Sequence, residues 1–490
     1  MAMICIENLT FGYPGAAETV FEGLDLRLDT RWRLGVIGRN GRGKTTLLQL
    51  LAGEYPYQGR ILAPVEFVRF PAPVASPDAP VGRVLADAAG AAQAWQRQRE
   101  LSLLGMEAAL ERPFSSLSGG ERTKVLLAAL FLNEGAFPLI DEPTNHLDAA
   151  ARLQVAAYLR RKEGFVLVSH DRCFLDACVD HILAFNRSGP GVQSGNFSVW
   201  FENYQRRQAD EQARNQRLQK QIGALRQAAR RTADWSARAE KEKIGAGPVD
   251  RGYIGHKAAK MMQRAKAIEA RRQRAAQEKQ GLLQDLETAE PLKLAPLPWP
   301  ARPLAELREA APVYGGRPVC APVTFSLHSG ERLALDGPNG AGKSSLLRLL
   351  AGQGPDHTGL VRCASGLVVS VVPQETGGLR GSLAGFCREN GLDESLFKAI
   401  LRKMDFSRAQ FEAGMEDFSE GQKKKVLLAR SLCQRAHLYL WDEPLNYIDL
   451  FSRMQIEELL EQARPTMVFV EHDAAFRQRL ATRVLRLERP

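Results

Sequence analysis

The segment Gly38-Arg-Asn-Gly-Arg-Gly-Lys-Thr45 and its copy Gly337-Pro-Asn-Gly-Ala-Gly-Lys-Ser344, 299 residues further on, decide the fold. Each follows a short apolar run (34–37 or 333–335) and opens a leucine-rich stretch (46–51 or 345–350). This is the strand, loop and helix context of a phosphate-binding loop. Glycines let successive backbone N–H groups converge on phosphate oxygens, and the helix start adds a favourable dipole. Lys44 or Lys343 neutralises β/γ charge, and Thr45 or Ser344 is placed to ligate Mg²⁺. The residues expected around ATP are therefore Gly38, Asn40, Gly41, Gly43, Lys44, Thr45 and Thr46 in one copy. In the other they are Gly337, Asn339, Gly340, Gly342, Lys343, Ser344 and Ser345.

Three further motifs repeat in the same order. Ser118-Gly-Gly-Glu121 recurs as Ser419-Glu-Gly-Gln422 and Asp141-Glu-Pro as Asp442-Glu-Pro, both 301 residues apart, and His170-Asp recurs as His472-Asp at 302. A nearly constant offset over four ordered motifs marks a duplication, so the chain carries two homologous domains. Each acidic pair ends a buried-strand run, Phe137-Pro-Leu-Ile-Asp141-Glu142 or Leu438-Tyr-Leu-Trp-Asp442-Glu443. An aspartate at a strand end can hold Mg²⁺ through water, and the glutamate after it can polarise the water that attacks the γ-phosphate. Asp141 and Asp442 are thus the expected metal-side carboxylates, and Glu142 and Glu443 the expected catalytic ones. His170 and His472, each ending a further apolar run, are expected to touch the γ-phosphate and help place the water.

Between the copies, residues 205–280 hold 20 basic and 8 acidic residues, a net of +12 against +10 for the whole chain. Leu218, Ile222 and Leu225 step by four and three, as do Met261, Ala265 and Ile268, on either side of Gly245-Ala-Gly-Pro248. Each side therefore carries one apolar stripe at helical spacing. Two helices with facing stripes and a Gly/Pro-rich turn make an antiparallel hairpin. Five prolines within 291–303 then read as a stiff connector. The expected fold class is α/β: two phosphate-loop ATPase domains, 1–198 and 291–490, joined by a long helical hairpin, 199–290.

Hydrophobic residues at 44% and charged residues at 25% of 490 exclude a mainly disordered or fibrous chain. No stretch approaches the ~18 consecutive apolar residues of a membrane span, and the first 13 residues lack a basic start and an apolar signal core. The seven scattered cysteines contain no Cys-x-x-Cys pair, which points to reduced thiols and the cytoplasm.

Ser116-Leu-Ser-Gly-Gly-Glu121 resembles the signature sequence of the ABC ATPases. In that family two nucleotide-binding domains meet head to tail, and each ATP lies between the phosphate loop of one and the signature of the other. The resemblance implies a site one of residues 38–45 with Ser419, Gly421 and Gln422, and a site two of residues 337–344 with Ser118, Gly119 and Gly120. A serine hydroxyl, backbone N–H groups and a helix start would close on the γ-phosphate, so that ATP joins the halves of a monomer and hydrolysis releases them. It also implies that Tyr13 stacks on adenine, with Tyr314 as its counterpart, and that Gln374 in Val-Val-Pro-Gln reaches metal and nucleotide. Two departures stand out. The first copy, Phe67-Val-Arg-Phe-Pro71, has no evident glutamine, and Glu420 replaces the glycine of the first signature, bringing a carboxylate near phosphate charge unless it points outward.

Three functions compete at this level. A drug exporter or importer ATPase would need a membrane partner, and most such chains carry one nucleotide domain and no long basic hairpin between two. A DNA-repair or chromosome-organising ATPase would carry a far longer coiled coil or cysteine zinc motifs. The third is the ABC-F group, whose tandem ATPases bind ribosomes and push an interdomain hairpin into the tRNA exit site. Asp141-Glu-Pro-Thr-Asn-His-Leu-Asp148 resembles that group's catalytic segment. Arg251-Gly-Tyr-Ile-Gly-His-Lys-Ala-Ala-Lys-Met-Met262, Thr232-Ala-Asp-Trp-Ser236 and Trp441-Asp-Glu-Pro-Leu-Asn-Tyr-Ile-Asp449 resemble its ribosome-protection branch, which clears lincosamides, streptogramin A and pleuromutilins. Trp235, Tyr253 and His256 among the basic residues suit ribosomal RNA and tRNA, with cations for phosphate and rings for stacking. A general ABC-F translation factor acting on stalled ribosomes is the alternative. The spacings from Pro71 to Ser118 and from Gln374 to Ser419, 47 and 45 residues, leave no room for an inserted arm in the first domain.

Overall fold

The computed structural model describes every residue except 1, 15–18, 90–91, 134, 146, 187–188, 243–266, 269, 272–273, 275–291, 301 and 489. Short apolar runs covered on both faces form the parallel strands of two central sheets. In the first the order is Glu66–Phe70, Ala136–Asp141, Phe165–Val168, Arg33–Gly38, His181–Asn186 and an antiparallel Gly189–Ser194. In the second it is Val369–Val372, Leu438–Asp442, Met467–Val470, Arg332–Asp336 and Arg483–Arg486. Both sheets thus place the phosphate-loop strand beside the histidine-bearing strand, which in turn pairs with the acidic strand. All three chemical motifs leave the carboxyl ends of adjacent strands, where ligands bind in open α/β sheets.

Leu47, Leu48, Leu50 and Leu51 of the helix Lys44–Leu51 pack under an antiparallel sheet of Phe21–Asp29, Met3–Phe11 and Gln58–Leu62. Leu346, Leu347, Leu349 and Leu350 of Lys343–Leu350 do the same in the second domain, against Ala305–Tyr314 and Val323–Leu327. Both helices begin at the lysine, two residues earlier than the leucine pattern implies. Burying four such side chains removes roughly 1.5–3 kcal/mol of apolar exposure apiece, which fixes the helix behind the loop.

The chain divides into two compact units, Met1–Ser198 with Ala289–Pro490, and Val199–Thr288. The two ATPase domains therefore form one packed body. From the expected hairpin, the helix Phe197–Glu242 is described; its 46 residues correspond to roughly 69 Å at 1.5 Å each. Along it Ile222 is buried and Leu218 and Leu225 are half-buried, the expected stripe. Ile268 is exposed, whereas Met261, Ala265, the turn at 245–248, and Tyr253 and His256 lie outside the described residues. The proline-rich 292–300 segment is no free connector. Leu292 is buried in the second domain's core, Leu297 N–H donates to Ala436 C=O at 2.8 Å, and the Trp299 ring meets His437 edge-on. Its prolines leave few backbone donors to satisfy, so an extended segment can lie on a folded surface. All seven cysteines are free thiols.

Candidate active site

Both phosphate loops end on a glycine in the left-handed region, Gly43 at φ 83° and Gly342 at φ 82°. A Cβ on Gly43 would lie 2.6 Å from the Phe21 ring, and one on Gly342 would lie 2.9 Å from Val319 Cγ2, so both conformation and space demand glycine. Lys44 Nζ donates to Gly38 C=O at 2.8 Å and Arg39 C=O at 3.1 Å, and Lys343 Nζ to Gly337 and Pro338 at 2.7 and 3.0 Å. Each ammonium thus arches over its own loop. Burial pushes both lysines below their ordinary pKa, and nearby carboxylates partly restore them.

Hydroxyl and carboxylate meet where Mg²⁺ is expected. Burial raises the carboxyls of Asp141 and Asp442, the neighbouring Thr45 and Ser344 hydroxyls partly offset it, and Asp442 Oδ1 is buried without a hydrogen-bond partner. Hard oxygen donors of this kind fit Mg²⁺, which keeps several water or phosphate oxygens of its own. Among the described residues no three His, Cys, Asp or Glu converge into an all-protein cage.

Glu142 and Glu443 both sit at φ 45°, a conformation non-glycine residues rarely adopt. Their N–H groups donate to Val168 and Val470 C=O at 2.9 and 3.0 Å, so the neighbouring strand holds each turn. His170 Nε2 is 3.4 Å from Glu142 Oε1, and His472 Nε2 is 3.4 Å from Glu443 Oε1. The two carboxyls nevertheless differ. Burial, with Asp141 beside it, pushes Glu142 up to about 8. Burial also raises Glu443, but hydrogen bonds from His472 and Gln374 outweigh it and hold the group below its ordinary value. Gln374 Nε2 donates to Glu443 Oε2 at 3.0 Å, and Asn446 Nδ2 to the same oxygen at 2.6 Å. In the first domain the register puts Ala72 where the second has Gln374, which is why no glutamine was evident there.

A cavity of about 490 Å³ brings the motifs together. The first domain contributes Asn40, Gly41, Gly43, Lys44, Thr45, Thr46, Asp141, Glu142 and His170; the second contributes Ser419, Glu420, Gly421 and Gln422. Tyr13 also lines it, with its hydroxyl 2.9 Å from Thr46 Oγ1 and its ring edge-on to Phe11 and Tyr55. Tyr314 is exposed on the strand Ala305–Tyr314. Each signature serine caps its helix: Ser118 Oγ accepts from Glu121 N–H and Ser419 Oγ from Gln422 N–H, both at 3.3 Å. Their helices, Gly119–Leu132 and Glu420–Cys433, contain Gly120 and Gly421 in the first turn.

The two domains touch through polar and charged residues, of which the sequence motifs had marked only Asn40. Arg39 pairs with Asp405 and stacks over Phe451, Asn40 Nδ2 donates to Tyr447 C=O at 3.1 Å, and Arg172 pairs with the fully buried Glu457. At the equivalent positions around site two the chain has Pro338 with Gly105, and Ala474 with Ala156, so neither ion pair is repeated. Toward site two, Asp148 of the first domain lies close enough to Lys343 to favour its charged form.

Lys425 and Asp449 form a buried pair at 2.8 Å beside site one. Burial alone would raise the Asp449 carboxyl, but Lys425 holds it well below the usual range. No motif marks Lys425 in the sequence; its burial reveals the role. Lys425→Met, which keeps length but removes charge, is expected to destabilise the full chain by about 3–5 kcal/mol, read as a lowered denaturation midpoint. A midpoint equal to wild type would show the pair to be dispensable.

This two-domain arrangement can be set beside known proteins. The family model described as "ABC transporter" matches residues 21–145 and 320–446, more than half of the chain. The chain belongs to the ABC transporter family. As in that family, it is an ATPase whose two nucleotide domains bind ATP with Mg²⁺. Among curated relatives it is 28% identical to the ATP-binding protein Uup of Caulobacter vibrioides, over 96% of this chain and 75% of that one. It is 27% identical to the ribosome protection protein VmlR of Bacillus subtilis, covering 95% and 83%. The energy-dependent translational throttle protein EttA of Haemophilus influenzae is also 27% identical, with 92% and 86% covered. Among solved structures, archaeal ABCE1 in complex with the ribosomal stalk protein aP1 superposes with a TM-score of 0.63 at 19% identity, over 98% of this chain and 87% of that one. That likeness concerns the fold. No helix among the described residues is long and apolar enough to cross a membrane.

Proposed function

We propose that this ABC-family ATPase is an ABC-F protein of the ribosome-protection branch, acting in the cytoplasm as a monomer with ATPase domains 1–198 and 291–490 and a hairpin at 199–290. It binds the ribosome through ribosomal RNA and tRNA, carries its hairpin toward the peptidyl transferase region, and displaces antibiotics bound there. The observation that carries this reading is the net +12 of residues 205–280, set between two ATPase domains, with no helix among the described residues long and apolar enough to cross a membrane. A ribosome-protection protein and a translational throttle among its relatives point the same way. The throttle favours the second reading, a general translation factor, and drug tolerance distinguishes the two.

The chain's residues divide the work. Lys44 and Lys343 would meet β/γ charge, and Thr45 with Asp141 and Ser344 with Asp442 would hold Mg²⁺, whose charge would screen the phosphate oxygens. Glu142 and Glu443 accept a proton from the attacking water, while His170 and His472 fix those carboxylates. Closure of Ser419–Gln422 over the first loop links ATP binding to the approach of the halves.

Deleting residues 244–253, which lie outside the described residues, is expected to abolish lincosamide and pleuromutilin tolerance in a sensitive cell while leaving ATP turnover intact. Intracellular drug accumulation should not change, which excludes export. Full tolerance retained by the deletion would sink the proposal; loss of ribosome stalling relief with no tolerance phenotype in wild type would favour the translation factor.

A further inference from the structure

Glu420 differs from Gly119 at the same signature position, and the difference is matched at three other positions. Phe70 pairs with Ile140 and Val372 with Trp441, each one residue before the strand-ending aspartate, so the sheets align Phe70 with Val372. Counting on, Ala72 and Val74 stand where the second domain has Gln374 and Thr376; along the signature helices, Thr123 stands where it has Lys424. In the second domain these four polar residues are joined. Thr376 Oγ1 donates to Glu420 Oε2. Lys424 Nζ, almost wholly buried, donates to the carbonyls of Pro373 at 2.8 Å, Gln374 at 3.3 Å and Asp442 at 3.1 Å. Gln374 in turn donates to Glu443 at 3.0 Å. In the first domain Ala72, Val74 and Gly119 offer no polar side chain, and the Thr123 hydroxyl donates back to its own helix at Gly119 C=O, 3.1 Å.

We infer that Glu420 and Thr376 are positioning residues that couple the two ATP sites, tying the signature turn that closes on site one to the loop whose Gln374 holds the hydrolytic glutamate of site two. The inference rests on Glu142 and Glu443 being the hydrolytic glutamates. Ser419, Glu420 and Gly421 line the cavity that holds the first phosphate loop. A shift of that turn on meeting the γ-phosphate draws on Thr376, two residues from Gln374, and Lys424 keeps helix and loop moving as one. The carboxylate is also compensated within its own domain: one oxygen accepts from Thr376, and the other is 3.7 Å from Lys423. The first domain has no equivalent of these contacts, so this route runs through the second domain alone. Linkage makes such a bias reciprocal for ATP binding, whereas turnover, a kinetic quantity, responds at the site whose glutamate the loop holds.

The test uses the full chain. With Glu142→Gln leaving only site two to hydrolyse, Thr376→Val and Glu420→Gly are each expected to lower kcat about fivefold or more with little change in the KM for ATP, and Thr376→Ser to restore it. With Glu443→Gln leaving only site one, Thr376→Val should change kcat by less than about twofold, which loss of folding could not produce. In the otherwise wild-type chain, the Thr376→Val and Glu420→Gly losses should coincide rather than add, because both remove one bond. Additive losses, equal losses in both backgrounds, or no loss would overturn the coupling. Full turnover by the chain carrying both glutamine replacements would instead reject the glutamate assignment, and the coincidence of losses in the wild-type background would still decide the coupling.

Discussion

Replacing both Glu142 and Glu443 by glutamine is expected to leave ATP binding intact and to cut phosphate release by at least ~100-fold, the scale of a lost general base. The amide keeps the volume and the neighbours of the carboxylate but cannot accept a proton. The backbone should tolerate the change, because the turn at φ 45° is held by N–H bonds to Val168 and Val470 that do not involve the side chain. ATP would then hold Ser419–Gln422 against the first phosphate loop, and the closed chain should persist on ribosomes. The single variants should not be equal. His472 and Gln374 hold Glu443 in its ionised, proton-accepting form, whereas burial and Asp141 lift Glu142 to about 8. Glu443→Gln should therefore cost more turnover than Glu142→Gln. Phosphate release and binding of a fluorescent ATP analogue, measured on the same preparations, check both statements; wild-type turnover in the double variant would show that neither residue is the base.

Neutralising Lys257, Lys260, Arg264 and Lys266 is expected to flatten the salt dependence of ribosome binding, the second large effect. Each phosphate contact releases a counterion and adds about 0.7–0.9 to the slope of log K against log salt, so losing four should reduce it by roughly 3. The loss of affinity would be largest at low salt, where released counterions contribute most. The four positions lie in the basic stretch 205–280 and outside the described residues, so the expectation comes from charge alone. Cosedimentation with ribosomes over a salt series reads the slope directly, and an unchanged slope would move the interface off the hairpin. ATP turnover without ribosomes should be unaffected, because none of the four belongs to a nucleotide-site motif of the sequence.

Chemistry that depends on residues close in the chain was legible without coordinates. Gly43 before Lys44, Asp141 before Glu142 and Ser118 three residues before Glu121 are local devices: a loop, a strand end and a helix cap whose partners are set by backbone geometry over a few bonds. The duplication, the two ATP sites and the basic stretch between them follow from such patterns. What sequence left open depends on partners brought together from far along the chain. Whether Glu420 faced phosphate was undecidable until Thr376, 44 residues away, took its carboxylate. Lys425 belongs to no motif, and its place became visible only with Asp449 and Met404 C=O around it. Glu142 and Glu443 stand in the same motif, yet one is raised and the other lowered, because burial and the presence of Gln374 or Ala72 belong to the packed domain and not to the motif. Sequence by itself determined which groups could do chemistry; the tertiary structure decided which of them share a dielectric environment, a hydrogen-bond partner and a cavity, since those energies depend on distance through space and not along the chain.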